Sequence, residues 1–175
     1  MSHSAVEYRY IGVVWSEHHR QEETPIQPVY ANDCAGQVEV FPEYAAGLQD
    51  IEEFSHVYLL YHLHQARPTQ LVVRPFLQDA DHGVFATRAP CRPNPIGLSI
   101  VRLIARDGNV LHVAGVDVLN GTPLLDIKPY TARFDCIETT RNGWQDSVDD
   151  LTADLRGRRG YQDPAAVDGE LPRKD

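Results

Sequence analysis

Residues Leu98–Leu119 read LSIVRLIARDGNVLHVAGVDVL, and this stretch decides the fold class. Two runs of alternating apolar and polar residues flank Asp107-Gly108, a dipeptide that suits the tight turn of a β-hairpin. Because successive side chains of a strand point to opposite faces, each run has one apolar face that can be buried. The stretch therefore predicts an antiparallel hairpin within a β-rich domain.

Further short segments are rich in β-branched and aromatic residues and are bounded by Gly, Pro, Asp or Asn. Helix is scarce: we expect one or two turns in EYAAGLQDIEEF (Glu43–Phe54) and a short amphipathic helix in DSVDDLTADLRGRR (Asp146–Arg159). Many strands with few helices predict a mainly β fold that closes into a compact barrel, which removes open sheet edges. The predicted strands are Tyr8–Ser16, Gln37–Phe41, Ser55–His64, Leu71–Phe76, Gly83–Arg88 and Gly121–Tyr130.

Length and charge limit the function classes. The 175 residues predict one domain with a polar tail, and the net charge of −9 argues against a broad nucleic-acid surface. Residues 64–134 nevertheless hold eight Arg or Lys against five Asp or Glu, which fits either a local site for an anionic ligand or scattered solvated arginines. Three widely spaced cysteines, no secretion signal and no apolar run of membrane-spanning length predict a cytoplasmic location without a membrane partner.

The segment CRPNPIGLS, Cys91–Ser99, has a proline on each side of Asn94. The first of these prolines comes directly after Arg92. Each proline fixes its own φ and restricts the preceding residue to extended geometry, so this loop is stiff. A stiff loop can hold a side chain in position for chemistry. The alternative is a proline-rich turn that only ends a strand.

Two further sets of polar residues alternate along predicted strands. Asp126, Lys128 and Tyr130 share one face, and an acid, an amine and a phenol are candidates for ligand contact or acid–base chemistry. A surface ion pair between Asp126 and Lys128 is the alternative. His62 and His64 have a spacing that two metal ligands can use, but a third ligand is not evident, so we predict no metal site. The chain also lacks a GxGxxG or P-loop signature.

Three segments together carry a family resemblance: VEVFPEYAAGLQDIEEFSHVYLLYHLHQ, GVFATRAPCRPNPIGLSIVRL and GVDVLNGTPLLDIKPY. They are similar to the TsaA-like (TrmO-type) family of S-adenosyl-L-methionine-dependent tRNA methyltransferases, from about residue 8 to about residue 137. The resemblance implies a compact β-barrel over residues 7–140, distinct from a Rossmann fold, followed by a polar and partly helical extension over residues 141–175. It also implies a homodimer that binds the cofactor near the subunit interface.

The resemblance also implies roles for individual residues at the cofactor. Arg88 is expected to clamp the methionyl carboxylate, and Asp117 to receive an amino or ribose group. His64 is then expected to hydrogen-bond to or stack on the cofactor, in place of binding a metal. The implied cofactor neighbours are Pro25, Gln27, His64, Gln65, Arg88, Leu98, Asp117 and Leu119.

The reaction that the resemblance implies is N6-methylation of threonylcarbamoyl-adenosine in tRNA. Such a reaction needs the amine nitrogen held in line with the methyl group. The amide oxygen of Asn94 is expected to accept a hydrogen bond from that amine, and Arg92 to hold an anionic part of the substrate. Tyr130 would contact the base, and Asp126 or Lys128 would take the released proton.

Two departures from the family pattern keep other functions open. Ile26 stands where the tRNA enzymes usually carry an arginine, and those enzymes commonly have a larger C-terminal domain than the residues that follow the core here. One alternative is a methyltransferase that acts on another acceptor. The other is a non-catalytic S-adenosyl-L-methionine-binding regulatory protein.

Overall fold

Six strands close into a barrel in the computed structural model, which describes residues 5–31 and 34–160. The strands of the described residues are β1 (Gly12–Ser16), β2 (Ala35–Val40), β3 (His56–His62), β4 (Val72–Val73), β5 (His82–Gly83), β6 (Ile96–Asp107), β7 (Val110–Ala114) and β8 (Thr122–Pro129). The barrel order is β1-β2-β7-β6-β3-β8, and all neighbouring strands are antiparallel. This architecture confirms the predicted mainly β barrel.

Strands β6 and β7 form the predicted hairpin, with Asp107 opposite Val110 and Gly108 in the left-handed region at φ +59. A register shift between Leu103 and Ala105 indicates a bulge, which bends β6. Beyond this pairing, residues 96–101 of β6 pair with β3 but not with β7. The first half of β6 therefore extends past the end of β7.

Alternate residues of the barrel strands point inward and form the core. Val14, Val38, Leu59, Leu111 and Leu124 are fully buried and belong to one contiguous cluster. Burial of such side chains at about 25 cal/mol per Å² of apolar surface is the main favourable contribution to folding.

The helical segments are short. Three α-helices are present in the described residues, together with 3-10 turns that include the predicted Pro42–Leu48 and Ile51–Glu53 region. None of the described helices is long and apolar enough to cross a membrane. The α-helices are α1 (Pro28–Ala31), α2 (Ala132–Asp135) and α3 (Asp150–Arg158).

Two predicted strands are much shorter than expected. Within Leu71–Phe76 only β4 forms, because Pro75 cannot donate a ladder hydrogen bond. Within Gly83–Arg88 the chain turns over Val84–Ala86, where the Thr87 hydroxyl donates to the Val84 carbonyl at 2.9 Å. Such local side-chain bonding competes with a strand ladder. The first predicted strand also begins only at Gly12.

The antiparallel order gives the barrel two distinct ends. Strands β1, β3 and β7 finish at one end, where β2, β6 and β8 begin. Three connections therefore meet at this end, which we name the loop end: residues 17–34, 63–95 and 115–121. The opposite end carries residues 41–55, the β6–β7 turn and the chain that leaves β8.

Residues 141–160 pack back onto the loop end. The Ile26 amide donates to the Gly157 carbonyl at 3.0 Å, and the Tyr30 ring covers Gly157 closely. The Trp144 indole donates to the Ala86 carbonyl at 2.8 Å. The first part of the predicted extension is thus helical in part and docked, while residues 161–175 lie outside the described residues. The boundary at residue 140 stays a prediction.

Candidate active site

The loop end brings together predicted cofactor neighbours from different connections. The Arg88 guanidinium donates through Nη1 to the Gln27 side-chain oxygen, which joins residues 63–95 to residues 17–34. Gln21 Nε2 donates to the Gln65 carbonyl at 3.0 Å and joins the same two connections a second time. Gln65 Nε2 lies 3.3 Å from His64 Nε2. Two side-chain hydrogen bonds therefore join residues 17–34 to residues 63–95 at the loop end, and Pro25 in the first of these connections is buried.

Asp117 is the buried acid of this region, at 8% exposure. The Ser99 hydroxyl donates to its Oδ1 at 2.5 Å, and the Tyr61 hydroxyl lies 2.9 Å from the Ser99 hydroxyl. Burial raises the pKa of the Asp117 carboxyl to about 7, against the lowering effects of the Ser99 hydrogen bond and the Arg88 charge. Asp117 is therefore a group that exchanges a proton near neutral pH inside a hydrogen-bonded network.

Residues 115–121, which carry Asp117, are anchored from both sides. The Cys34 carbonyl accepts hydrogen bonds from the amides of Gly115 and Val116 at 3.0 and 3.2 Å. The Thr122 amide donates to the carbonyl of the half-buried Leu119 at 3.2 Å. These contacts hold the connection in one position at the barrel mouth.

The proline-rich loop is braced at the same end. Arg92 Nη1 donates to the carbonyls of Thr87 and Ala89 at 3.0 and 3.2 Å, so this side chain stiffens its own loop. The Leu63 amide donates to the Pro95 carbonyl at 2.8 Å and ties the loop to the end of β3. The Asn94 side chain is exposed on this braced loop, as its predicted role requires.

Two of the predicted catalytic residues, Lys128 and Tyr130, lie away from the loop end, whereas Asp126 is nearer to it, opposite Leu60 of β3. Lys128 and Asp126 form an ion pair at 2.7 Å, with Lys128 opposite Tyr58 in the β3–β8 register. The Tyr130 ring lies 5.7 Å from the Tyr58 ring, and its amide donates to the His56 carbonyl. Since His56 and the last residue of β3 are six residues apart, Tyr130 is about 20 Å along the barrel from the loop end. Within this chain, Tyr130 therefore lies far from Asn94.

Leu98 also points away from the Asp117 network. It alternates with the buried Gly97 and Ser99 and is 48% exposed on the outer face of β6. Ser99 and Tyr61 are the residues that sequence reasoning missed. No local sequence signal indicates this network; in the structure Gly97 lies opposite Tyr61, and an added Cβ there would lie 2.1 Å from the Tyr61 ring.

His62 is the last residue of β3 and His64 follows it two positions later, and both side chains contact neighbouring side chains. The Tyr10 hydroxyl lies 2.7 Å from His62 Nδ1, and the two rings stack at 5.9 Å. Among the described residues, neither His62 nor His64 belongs to a group of three potential metal ligands.

Residues 13–136 match the family described as tRNA-methyltransferase O N-terminal domain. A probable S-adenosyl-L-methionine-binding protein of Pyrococcus abyssi is 56% identical over 137 residues, which are 78% of this chain and 74% of that protein. The tRNA (adenine(37)-N6)-methyltransferase of Homo sapiens is 38% identical over 119 residues, 64% of this chain and 27% of the human protein. A crystal structure of TrmO from Pseudomonas aeruginosa is 37% identical with a TM-score of 0.68, over 81% of this chain and 63% of that chain.

The chain therefore belongs to the tRNA-methyltransferase O N-terminal domain family. This confirms the resemblance to the TrmO-type family and the barrel fold that it implied. The chain spans about three quarters of the Pyrococcus protein, under two thirds of the Pseudomonas chain and about a quarter of the human enzyme.

Proposed function

We infer that this protein is an S-adenosyl-L-methionine-dependent methyltransferase. The observation that carries the inference is the contact of Arg88 with Gln27 at the same barrel end as the buried Asp117, in a chain of the TrmO family. Named relatives support the cofactor, because they are described as S-adenosyl-L-methionine-binding proteins. The Rossmann fold that many nucleotide cofactors use is not needed, since the three connections of the loop end supply the contacts.

The side chains of the loop end fit the polar groups of this cofactor. The Arg88 guanidinium suits a carboxylate, and the Asp117 carboxyl suits an ammonium or a hydroxyl. Gln27, His64 and Gln65 add neutral donors and acceptors on the connections of the same barrel end. When bound, S-adenosyl-L-methionine supplies an electrophilic methyl group.

We propose that the methyl acceptor is N6 of a tRNA adenosine, in its threonylcarbamoyl form, in the cytoplasm. The human relative that is named a tRNA (adenine(37)-N6)-methyltransferase supports the acceptor atom. The exposed Asn94 supports it as well, because an amide oxygen on a braced loop can orient an exocyclic amine by accepting its N–H. Arg92 contributes by bracing that loop and by its positive charge.

We propose in addition that the active form is a homodimer. The outer face of β6 exposes Ile96, Leu98, Ile100 and Ile104 at 39 to 54% each, an apolar stripe that a second subunit would cover. Asp126, Lys128 and Tyr130 then act at the loop end of the partner. This arrangement accounts for their distance from Asn94 within one subunit.

The test of the acceptor uses purified protein, methyl-labelled cofactor and two matched tRNA preparations, with and without the threonylcarbamoyl group. We expect label in N6-methylated threonylcarbamoyl-adenosine only with the modified tRNA. Equal label in the unmodified tRNA would contradict the threonylcarbamoyl specificity. Saturable cofactor binding without label in any RNA would favour the regulatory alternative.

The test of the dimer uses complementation between two inactive variants. Asn94→Ala and Tyr130→Ala proteins are each expected to lose activity, and the mixed dimer is expected to recover part of it because one of its two sites is intact. Two Asn94→Ala preparations mixed in the same way serve as the control. No recovery from a verified mixed dimer would exclude sites that are shared between subunits.

A further inference from the structure

Three side chains that the proposed methyltransferase site does not use lie together behind the loop end. Glu17, His18 and Cys34 each present a ligand atom, and these atoms lie within 4.8 Å of one another. His18 and Cys34 are each only 3% exposed, whereas Glu17 is exposed. The three residues enclose a position that is buried on one side and open to solvent on the other.

The orientation of His18 suits a metal ligand. Its Nε2 lies 2.9 Å from the Val116 carbonyl, and a carbonyl can only accept, so Nε2 carries the proton and Nδ1 has the lone pair. Metal-binding histidines typically donate their second ring nitrogen to a carbonyl or carboxylate in this way.

The chemistry of the three donors selects the kind of ion. A thiolate and an imidazole prefer zinc over magnesium or calcium, and a carboxylate completes a set of three protein ligands. A water molecule would supply the fourth ligand of a tetrahedral zinc site with three protein ligands. We propose that Glu17, His18 and Cys34 form a binding site for a divalent transition-metal ion, with zinc as the best match.

A metal ion at this site would hold the start and the end of residues 17–34 together, because Glu17 and His18 begin this segment and Cys34 ends it. That connection carries Pro25 and Gln27, and Cys34 also holds residues 115 and 116 through its carbonyl. A metal ion would therefore brace the segments that flank Gln27 and Asp117 without contacting the methyl acceptor. Binding converts the Cys34 thiol to a thiolate and releases the proton to solvent.

The experiment titrates untagged full-length protein with Co²⁺ under reducing conditions, followed by absorption spectroscopy and by competition with Zn²⁺. We expect one equivalent of Co²⁺ with a sulfur-to-cobalt charge-transfer band that Zn²⁺ abolishes. Cys34→Ser should lose the band, and the matched Cys91→Ser control should keep it. Glu17→Gln, which changes an exposed side chain, should weaken Co²⁺ binding roughly tenfold or more while circular dichroism stays unchanged.

Two results would overturn the proposal. The first is folded wild-type protein that binds neither Co²⁺ nor Zn²⁺ at micromolar concentration. The second is a charge-transfer band that persists unchanged in both Cys34→Ser and Glu17→Gln, because the metal would then be held elsewhere. If Cys34→Ser does not fold, Glu17→Gln alone decides, since the 17–34 connection keeps its buried residues in that variant.

Discussion

The hydroxyl of Ser99 donates a 2.5 Å hydrogen bond to the carboxyl group of Asp117, although the two residues are 18 positions apart and lie on opposite sides of β7 in sequence. Both are buried, at 3% and 8% exposure. The bond connects the barrel interior to the connection that carries a predicted cofactor contact. The protonation of Asp117 is therefore linked both to folding and to the electrostatics of the loop end.

Replacement of Asp117 by Asn should change the dependence of stability on pH. The pKa of Asp117 is raised from 3.8 to about 7 in the folded protein, so the folded state binds more protons than the unfolded state between these values. The stability that Asp117 contributes is full below about pH 4 and is lost as the pH rises through about 7. As the pH rises from 5 to 8, we expect the free energy of unfolding of Asp117→Asn to increase by on the order of 2 kcal/mol relative to that of wild type. Urea unfolding at the two pH values measures this change.

Ser99→Ala is the companion variant for this measurement. The Ser99 hydrogen bond lowers the pKa of Asp117, so its removal should move the loss of stability to higher pH. If the free energies of unfolding of wild type and Asp117→Asn differ by the same amount at pH 5 and pH 8, the raised pKa of Asp117 is contradicted.

Arg88→Ala should weaken cofactor binding about 10- to 100-fold, because charge-assisted hydrogen bonds to a carboxylate contribute about 1.5–3 kcal/mol. Isothermal titration with S-adenosyl-L-methionine measures the loss. Arg74→Ala is the matched control, since Arg74 lies on the same connection and forms an exposed ion pair with Asp81 at 3.0 Å. Equal affinity of the two variants would remove Arg88 from the cofactor site.

Asn94→Ala should abolish methyl transfer and leave cofactor affinity within about twofold of wild type. The side chain is exposed and its loop is held by backbone contacts, so its removal changes the orientation of the acceptor amine and not the fold. Single-turnover methylation and cofactor titration on the same preparation separate the two effects. Unchanged turnover would exclude Asn94 from the mechanism.

Gly97→Ala should destabilise the barrel by about 1–3 kcal/mol, because the added methyl group overlaps the ring of Tyr61. Gly47→Ala is the matched control: an added Cβ at Gly47 meets nothing within 4 Å. The control should therefore be neutral or slightly stabilising, since alanine reduces the freedom of the unfolded chain. Similar urea midpoints for the two variants would mean that Tyr61 moves aside at little cost.

Local pattern predicted most of the barrel strands. Alternation over Leu98–Leu119 and the Asp107-Gly108 turn depend only on neighbouring residues, so the hairpin could be identified before any tertiary contact was known. The strand prediction over Leu71–Phe76 was too long because β-branched composition outweighed the effect of Pro75. Helix α3 forms where it was predicted, but Leu151 and Leu155 are 70% and 67% exposed, so its apolar residues are not buried by the described part of the chain.

The candidate site was predicted only in part. Residue types and a family resemblance nominated Arg88 and Asp117, and the contact of Arg88 with Gln27 and its charge effect on Asp117 follow from connections that meet at one end of the barrel. Ser99 lay inside a nominated segment but its role was missed, because no local pattern indicates which side chain meets a buried acid. Glu17, His18 and Cys34 were missed as a group since their spacing matches no known metal motif.

The hairpin, the mainly β class, the stiff proline-rich loop and the membership of a methyltransferase family could all be predicted from the order of residues alone. Each of these depends on the order of residues over short distances or on a long ordered set of motifs. The distance between Tyr130 and Asn94 within the chain, and the burial of Asp117 beside Ser99, depend on the tertiary structure. The reason is physical: strand order and register set which residues share a barrel end, and burial sets the pKa of an acid only after the chain has closed around it.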